Sequence, residues 1–459
     1  MYDLIILGGG PAGYFAAERA ADAGLRTLLF EERNLGGVCL NEGCIPTKSL
    51  LYSAKLADSA RHGEEFGVFV DGVRLDHGVA LDRKGKVVQK LVGGVTSSLK
   101  QRSVGAMRAS GAIKGRGEEG FLIEAGGEEY EGARVLLCMG SEAIVPPIDG
   151  VKEGIESGFV LTSREILDLD SVPERLVIVG GGVIGLEFAN YFTIAGSKVS
   201  VIEMLPEIGG AIDSDIAAAL RTELEKAGVR FLLETKAAGF LADGVRVSGK
   251  NGEETIPADK VLLSIGRRPR TEGAGLETLG VHTEKGAVVT DVHMRTNVPG
   301  IWAAGDVNGK MMLAHTAYRE AAVAVGDMTG TPENMRYDAI PQVVYTMPEA
   351  AGVGETEQSA VEKGYIYDKA VLPLLYSGRY IAENKGGSGI IKLLAERRSR
   401  RILGVHILGT YASEIILSAA MLVSSKTTIE TAGKIVYPHP TVGEVLRDAL
   451  LHLAQSKGV

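Results

Sequence analysis

Two uninterrupted apolar runs, Leu4-Ile5-Ile6-Leu7 and Leu176-Val177-Ile178-Val179, each lead straight into a glycine-rich turn, and the rest of the hydrophobic pattern is arranged around them. A short apolar run without polar alternation suits a parallel strand covered on both faces. The first is followed by Gly8-Gly9-Gly10-Pro11-Ala12-Gly13. Here Gly8 permits a tight turn, Gly10 lets the backbone approach a pyrophosphate, and Gly13 lets a helix pack closely on the strand. Pro11 suits a first helical turn. The pattern predicts a helix to about Gly24, which can end it in a left-handed conformation, and then a strand over Leu25 to Phe30 closing on Glu31. A carboxylate there can accept both hydroxyls of a ribose.

The second run opens a repeat of this unit. Gly8, Gly13, Ala23-Gly24 and Glu31 recur 172 residues later as Gly180, Gly185, Ala195-Gly196 and Glu203, with Gly182 in the place of Gly10. An internal duplication is the simplest account, and two dinucleotide units imply two dinucleotides. Glu203 favours NAD over NADP at the second, because its charge would repel a 2′-phosphate and no arginine pair stands beside it. The pattern changes near Arg336. From Ala339 apolar and polar residues alternate between turn signals, as in Gly389 to Leu394 and Ile402 to Ile407, predicting an antiparallel sheet flanked by helices. The expected fold class is α/β, with two Rossmann-like dinucleotide-binding domains and a C-terminal α+β domain.

Composition narrows the function. The 459 residues are 45% hydrophobic and 23% charged, which suits about three packed domains. A net charge of -9 argues against nucleic acid as a partner. The one basic run, Arg397 to Arg401, lies between two strand-like segments and is expected to be a solvated hairpin turn. No segment approaches the ~18 consecutive apolar residues of a membrane span. The first strand is expected to begin at Tyr2 with no signal peptide before it, so the expected location is the cytoplasm. Three cysteines suit a reducing compartment, and Cys138, in the apolar run Arg134 to Gly140, is expected to be an inert small hydrophobe.

The other two cysteines carry the candidate chemistry. Cys39 and Cys44 stand five positions apart, directly after the first nucleotide unit, with Lys48 beside them. Thiols this close in sequence close too small a loop for useful structural stabilisation, so a reactive redox pair fits better. The alternatives are two buried thiols or half a zinc site, but zinc needs four ligands and no second Cys or His cluster accompanies the pair.

The segment Cys39-Leu40-Asn41-Glu42-Gly43-Cys44-Ile45-Pro46-Thr47-Lys48 resembles the active-site signature of the flavoprotein pyridine nucleotide-disulfide oxidoreductases, and its wording is most similar to the dihydrolipoamide dehydrogenase branch of that family. The resemblance spans Tyr2 to about Leu450. It implies a Cys39-Cys44 disulfide in which Cys39 exchanges with substrate and Cys44 contacts a flavin. It implies FAD at the first unit and NAD at the second. Thr296 to Asp306 resembles the second FAD motif of the family, with Asp306 bonding the ribityl chain, and Met312-Leu313-Ala314-His315 resembles the segment facing the isoalloxazine ring. Gly115-Arg116-Gly117 resembles the loop that meets the adenine, with Gly117 the expected contact. Glu187 falls where the family pairs a glutamate with the lysine of the redox motif, here Lys48. Gly266, in Ser264 to Pro269, and Ala237 fall where the family approaches the nicotinamide dinucleotide. In Tyr437-Pro438-His439-Pro440-Thr441-Val442-Gly443-Glu444, the resemblance makes His439 the acid/base for the dithiol and Glu444 its orienting carboxylate.

The implied layout is an FAD domain over residues 1–145 and 271–336, an NAD domain over 146–270 and a dimerisation domain over 337–459. The implied activity is oxidation of a dihydrolipoyl group with reduction of NAD, in a homodimer that acts on a lipoyl-bearing carrier domain of a 2-oxo acid dehydrogenase or glycine-cleavage complex. The rivals are another disulfide reductase, such as one for glutathione or mercuric ion, and a non-catalytic flavoprotein module. Against mercuric ion, Ser456 to Val459 carries no extra cysteine pair. The chain departs from the family at Cys138-Met139, where Ala-Thr is usual, at Thr316, where lysine is common, and at Tyr437, where histidine often stands.

Overall fold

In the computed structural model, which describes residues 1–250 and 252–455, the two apolar runs become the central strands of two parallel sheets. Leu4–Leu7 is buried along its whole length, and Arg175–Val179 is buried at all but its first residue. Neither face of these strands reaches water, which is why neither alternates. Each such leucine or isoleucine contributes roughly 1.5–3 kcal/mol by leaving water. The chain falls into two units. One holds residues 1–49, 81–144 and 266–337, and the other 50–80, 145–265 and those from 338 onward.

In the first unit the sheet runs Ile301–Ala303, Val135–Leu137, Leu4–Leu7, Thr27–Glu31, Gly105–Arg108, all parallel. In the second it runs Val160–Leu161, Lys260–Leu263, Arg175–Val179, Lys198–Ile202, Arg230–Leu232, again all parallel. The register repeats as well, with Leu4 opposite Thr27 and Leu176 opposite Val199. Each unit adds a three-stranded antiparallel sheet, Gly111–Arg116 with Phe121–Ala125 and Glu128–Gly132 in one, Lys236–Leu241 with Gly244–Gly249 and Gly252–Pro257 in the other. Both carry a bulge in their first strand, between Ile113 and Gly115 and between Ala237 and Gly239. The duplication therefore reaches beyond the glycine turns to whole sheets.

The second unit also holds a five-stranded antiparallel sheet, in the order Gln342–Val344, Ala350–Gly354, Ile402–Leu408, Ile390–Glu396, Tyr367–Pro373. Helices Ala412–Ser424 and Val445–Gln455 share its core through Ile416, Ala419, Leu446 and Leu450. This is the antiparallel sheet with helices that the alternation from Ala339 predicts.

Several boundaries differ from the sequence expectation. Tyr2 makes only an isolated bridge to Gly132, and the strand starts at Leu4. The first helix is Pro11–Asp22, with Gly24 at φ +85° beyond its end, and the next strand starts at Thr27. Arg397 to Arg401 does turn between two strands, but Arg400 is not simply solvated. It reaches Asp368 at 3.3 Å, Glu430 at 3.0 Å and the Leu453 carbonyl at 2.7 Å. Cys138 lies just past the Val135–Leu137 strand, 5% exposed, and burial pushes its thiol well above the usual range. The segment Ser456 to Val459 lies outside the described residues.

Candidate active site

The two glycine turns have one geometry. Gly8 and Gly180 sit at φ +104° and +108°, and a Cβ on either would meet a carbonyl, that of Cys138 at 2.2 Å or of Ser264 at 2.4 Å. A Cβ on Gly13 or Gly185 would lie 1.8 or 2.1 Å from the carbonyl oxygen of Gly8 or Gly180. These four glycines are dictated by the protein itself. The middle ones are not. Gly10 and Gly182 have φ −73° and −77°, open to any residue. A Cβ on Gly10 would find only Gly37 Cα at 3.8 Å, and one on Gly182 nothing within 4 Å. The space that such a methyl would fill is space for a ligand at a helix N-terminus, which suits a pyrophosphate.

The acids repeat too. Glu31 accepts the Gly9 N–H at 2.7 Å on one oxygen and the Arg33 N–H at 2.8 Å on the other. Glu203 accepts those of Gly181 at 2.7 Å and Leu205 at 2.8 Å. Each carboxylate is thus fixed by its own turn, and the lone pairs left over are those available to ribose hydroxyls.

The cysteine segment is helical, which its sequence does not announce. Cys39 lies in a short helix, Gly37–Asn41, and Cys44 opens the helix Cys44–Arg61. The short helix is docked on the first nucleotide turn. The Gly36 N–H donates to the Gly9 carbonyl at 2.8 Å, and a Cβ on Gly37 would come within 2.6 Å of Gly10 Cα. Both cysteines are half-buried and outside any disulfide, and their thiols are in hydrogen-bond contact. Cys39 holds its proton more tightly than a free thiol, first through that bond to Cys44 and then through burial, while Lys48 pulls the other way.

Asp306 is largely buried, and burial pushes its carboxyl up against the opposing pull of Ser141 and Arg267. Ser141 Oγ donates to it at 2.5 Å and accepts from Arg267 Nε at 2.7 Å. The segment Met312 to His315 runs into the helix Ala314–Met328, with Leu313 at the cap. In its opening turn, Thr316 Oγ1 is buried with no hydrogen-bond partner among the described residues. An orphaned hydroxyl and a buried carboxylate with spare acceptor capacity suit a polar ligand.

In the second unit, His439 Nδ1 lies 2.8 Å from Glu444 Oε2. The histidine side chain is 73% exposed and the glutamate 4%, so a buried carboxylate orients a histidine whose other nitrogen faces outward. Glu187 is buried in the helix Val183–Ala195 and accepts the Tyr345 N–H at 3.1 Å.

Three other expected contacts have the following surroundings. A Cβ on Gly117 would come within 2.2 Å of the Glu131 carboxylate, the far end of a flexible side chain. Ala237 is partly buried against the second unit's core, beside the bulge. Gly266, at φ +124°, precedes the Arg267–Pro269 strand, which pairs with Ser141–Ala143 in the first unit. Sequence reasoning passed over one feature near the thiols, a hydroxyl–hydroxyl bond of 2.5 Å between Tyr14 and Tyr318. Lying 304 residues apart, the two give no sequence signal of their contact.

Comparison with known proteins bears on the whole chain. A dihydrolipoyl dehydrogenase from Thermus scotoductus is 39% identical over 457 residues, which covers 98% of this chain and 96% of the relative. The solved structure of LpdA from Mycobacterium tuberculosis matches with a TM-score of 0.88 at 27% identity, covering 98% of this chain and 99% of that one. The HOCl-induced flavoprotein disulfide reductase RclA from Escherichia coli, as its Cu(II) complex, matches with a TM-score of 0.85 at 27% identity, covering 97% and 98%. Residues 2–321 match the model of the pyridine nucleotide-disulphide oxidoreductases, and residues 340–450 match the model of their dimerisation domain. Both parts being present in one chain and in that order, it belongs to the pyridine nucleotide-disulphide oxidoreductase family of FAD-dependent enzymes.

Proposed function

We propose that the protein is a dihydrolipoyl dehydrogenase that works as a homodimer, with FAD at the Gly8 turn and NAD at the Gly180 turn. The observation that carries this is the thiol pair, held in contact and docked through Gly37 on the first nucleotide turn. Relatives bearing that name over nearly the whole chain favour a lipoyl substrate. When bound, the flavin supplies a two-electron acceptor for a dithiol, and the pyridine nucleotide a final hydride acceptor.

The chain's own residues do the rest. In the oxidised enzyme Cys39 and Cys44 are joined. His439 of the partner subunit, oriented by its glutamate, takes a proton from the substrate dithiol. The resulting thiolate attacks Cys39 Sγ, the Cys39-Cys44 bond breaks, and Cys44 leaves as a thiolate that Lys48 stabilises. The partner's His439, having passed the first proton to water, takes that of the second substrate thiol; the thiolate so formed attacks the substrate sulfur of the mixed disulfide, and Cys39 leaves as a thiolate. The substrate is now a disulfide, and its two electrons reside on the enzyme's thiols. At the second turn Glu203, 9% exposed and bonded through both oxygens, cannot swing away from an incoming 2′-phosphate, which favours NAD over NADP.

The test is a grid of NADH or NADPH against lipoamide, oxidised glutathione or no acceptor. NADH with lipoamide should be fastest by far. Oxidised glutathione matching lipoamide would move the enzyme to the other disulfide reductases, and equal kcat/KM for NADPH would overturn the assignment of Glu203.

A further inference from the structure

Tyr14 follows Gly13 in the helix Pro11–Asp22, and Tyr318 lies in the helix Ala314–Met328. Their hydroxyl oxygens are 2.5 Å apart and their rings meet edge-on with centroids at 6.0 Å. Tyr318 is braced from the side by Phe15, at a ring separation of 5.3 Å. Tyr14 is 9% exposed, and its helix opens at the turn on which the Cys39 helix docks, where a Cβ on Gly37 would come within 2.6 Å of Gly10 Cα.

A phenol carries one proton and can also accept. Two phenols in mutual contact hold two protons, of which one lies in the bond between them. The other is left over for a third group. Burial pushes both hydroxyls up, that of Tyr14 furthest, so neither becomes a phenolate in the range where thiols ionise. Toward a thiolate, which has no proton to give, the pair can therefore only donate.

We propose that the Tyr318 O–H, its oxygen held by Tyr14, donates to the thiolate as which Cys39 leaves when the mixed disulfide with substrate is resolved. Tyr318 would then be a catalytic residue and Tyr14 a positioning residue. The role rests on reading Cys39 and Cys44 as the redox centre. It offsets the two influences that disfavour a Cys39 thiolate, its bond to Cys44 and its burial. The other ionisable groups around the centre are Cys44 and Lys48 on the helix Cys44–Arg61, Asp306 in the flavin-side turn, and Glu18 on Tyr14's own helix. All of them remain in place when a single hydroxyl is removed.

The test compares alkylation of Cys39 by iodoacetamide across pH in flavin-bound Cys44→Ser protein, with and without Tyr318→Phe. Loss of one hydrogen bond to a charged group should slow alkylation near pH 7 by roughly tenfold and move the midpoint up by about one pH unit. Superimposable profiles would overturn the proposal. A purely structural role would alter flavin content or melting without moving the midpoint, and that pattern also overturns it. If Tyr318→Phe does not fold, Tyr14→Phe decides. It should shift the profile in the same direction by less, and no shift counts against the proposal. The assay uses no lipoyl substrate, so its outcome is separate from that of the acceptor grid. A shifted profile in an enzyme inert toward lipoamide would keep Tyr318 and discard the substrate.

Discussion

The two nucleotide units keep one conformation through an entire turn, acid and diglycine, and then part. In the first, the Gly36 N–H bonds the Gly9 carbonyl at 2.8 Å, with Gly36 and Gly37 at φ +94° and +55°. In the second, the Gly209 N–H bonds the Gly181 carbonyl at 2.8 Å, with Gly209 and Gly210 at φ +82° and +61°. Beyond that point the first unit places Cys39 and Cys44, and the positions equivalent to them hold Ile212 and Ala217. The second unit uses the same site for an ion cluster. Asp213 caps the helix Ser214–Lys226 and, with Asp215 and Glu357, surrounds Lys392, which is wholly buried. One scaffold thus carries the thiol pair in one copy and structural ion pairing in the other. A nucleotide turn fixes the position of the segment after its diglycine, and the side chains on that segment set what it carries.

The largest effect should come from the thiols. Cys39→Ser and Cys44→Ser should each slow exchange with dihydrolipoamide by roughly 10,000-fold or more, because a hydroxyl neither attacks nor leaves as a thiolate does. The two should differ in spectrum. Cys39→Ser enzyme, which has no disulfide to reduce, should show a long-wavelength band from the Cys44 thiolate beside oxidised flavin, and Cys44→Ser should lack it. The opposite outcome would exchange the two roles.

Next is the cluster that stands where the second unit has no thiols. Burial alone would lower the Lys392 ammonium's pKa, but the bonds to Asp213, Asp215 and Glu357 outweigh it and raise it. Glu357 is held at about 2 despite burial, by Lys392 first, then by Lys369 and the Tyr367 hydroxyl. A carboxylate that titrates below its unfolded value of about 4.3 stabilises the fold above that pH, and the benefit is lost as pH falls toward about 2. Lys392→Met leaves three carboxylates facing one another without their cation and should cost roughly 3–5 kcal/mol near neutrality. In the variant the crowded carboxylates prefer their protons, so acid relieves it. The gap in Tm between parent and variant should therefore be widest near pH 7 and close toward pH 4. A gap that widens in acid would show that the cluster is held by something other than this charge balance.

Legibility from the sequence divides along a physical line. Turns, acids and the His439–Glu444 pair were legible because their partners lie close in sequence or at a fixed spacing, five residues in the case of the histidine and glutamate. Contacts closed by folding were not. Lys392 reads as a polar residue in a strand, with its Asp213 partner 179 positions away. The equivalence of Gly36 and Gly209 was hidden because the repeat slips by one residue there, out of the 172-residue register that the other four matches share. Gly117 lies beside the Glu131 carboxylate, which only the pairing of the antiparallel sheet brings near. Helicity in the cysteine segment was masked by Gly37, Gly43 and Pro46, residues that usually mark loops.

The smallest effect should separate the glycines that the protein needs from those that its ligands need. A methyl group on Gly13 or Gly185 would strike a carbonyl oxygen of the same turn, so alanine there should prevent folding of that unit. On Gly10 or Gly182 a methyl meets no protein atom closer than 3.8 Å and the backbone already has an ordinary φ, so alanine should change stability by less than about 1 kcal/mol. Its cost should appear only on binding. The methyl would stand where a pyrophosphate approaches the backbone, and a misfit of that size is worth roughly 1–2 kcal/mol, or about tenfold in affinity. The two sites should then answer separately. Gly10→Ala enzyme should lose flavin on dilution and leave the KM for NADH unchanged in the fraction that retains it. Gly182→Ala enzyme should keep its flavin and show a KM for NADH raised about tenfold, with kcat little altered, as expected when ground state and transition state lose the same contact. If Gly182→Ala loses flavin and Gly10→Ala raises the KM for NADH, the two nucleotides have been assigned to the wrong turns.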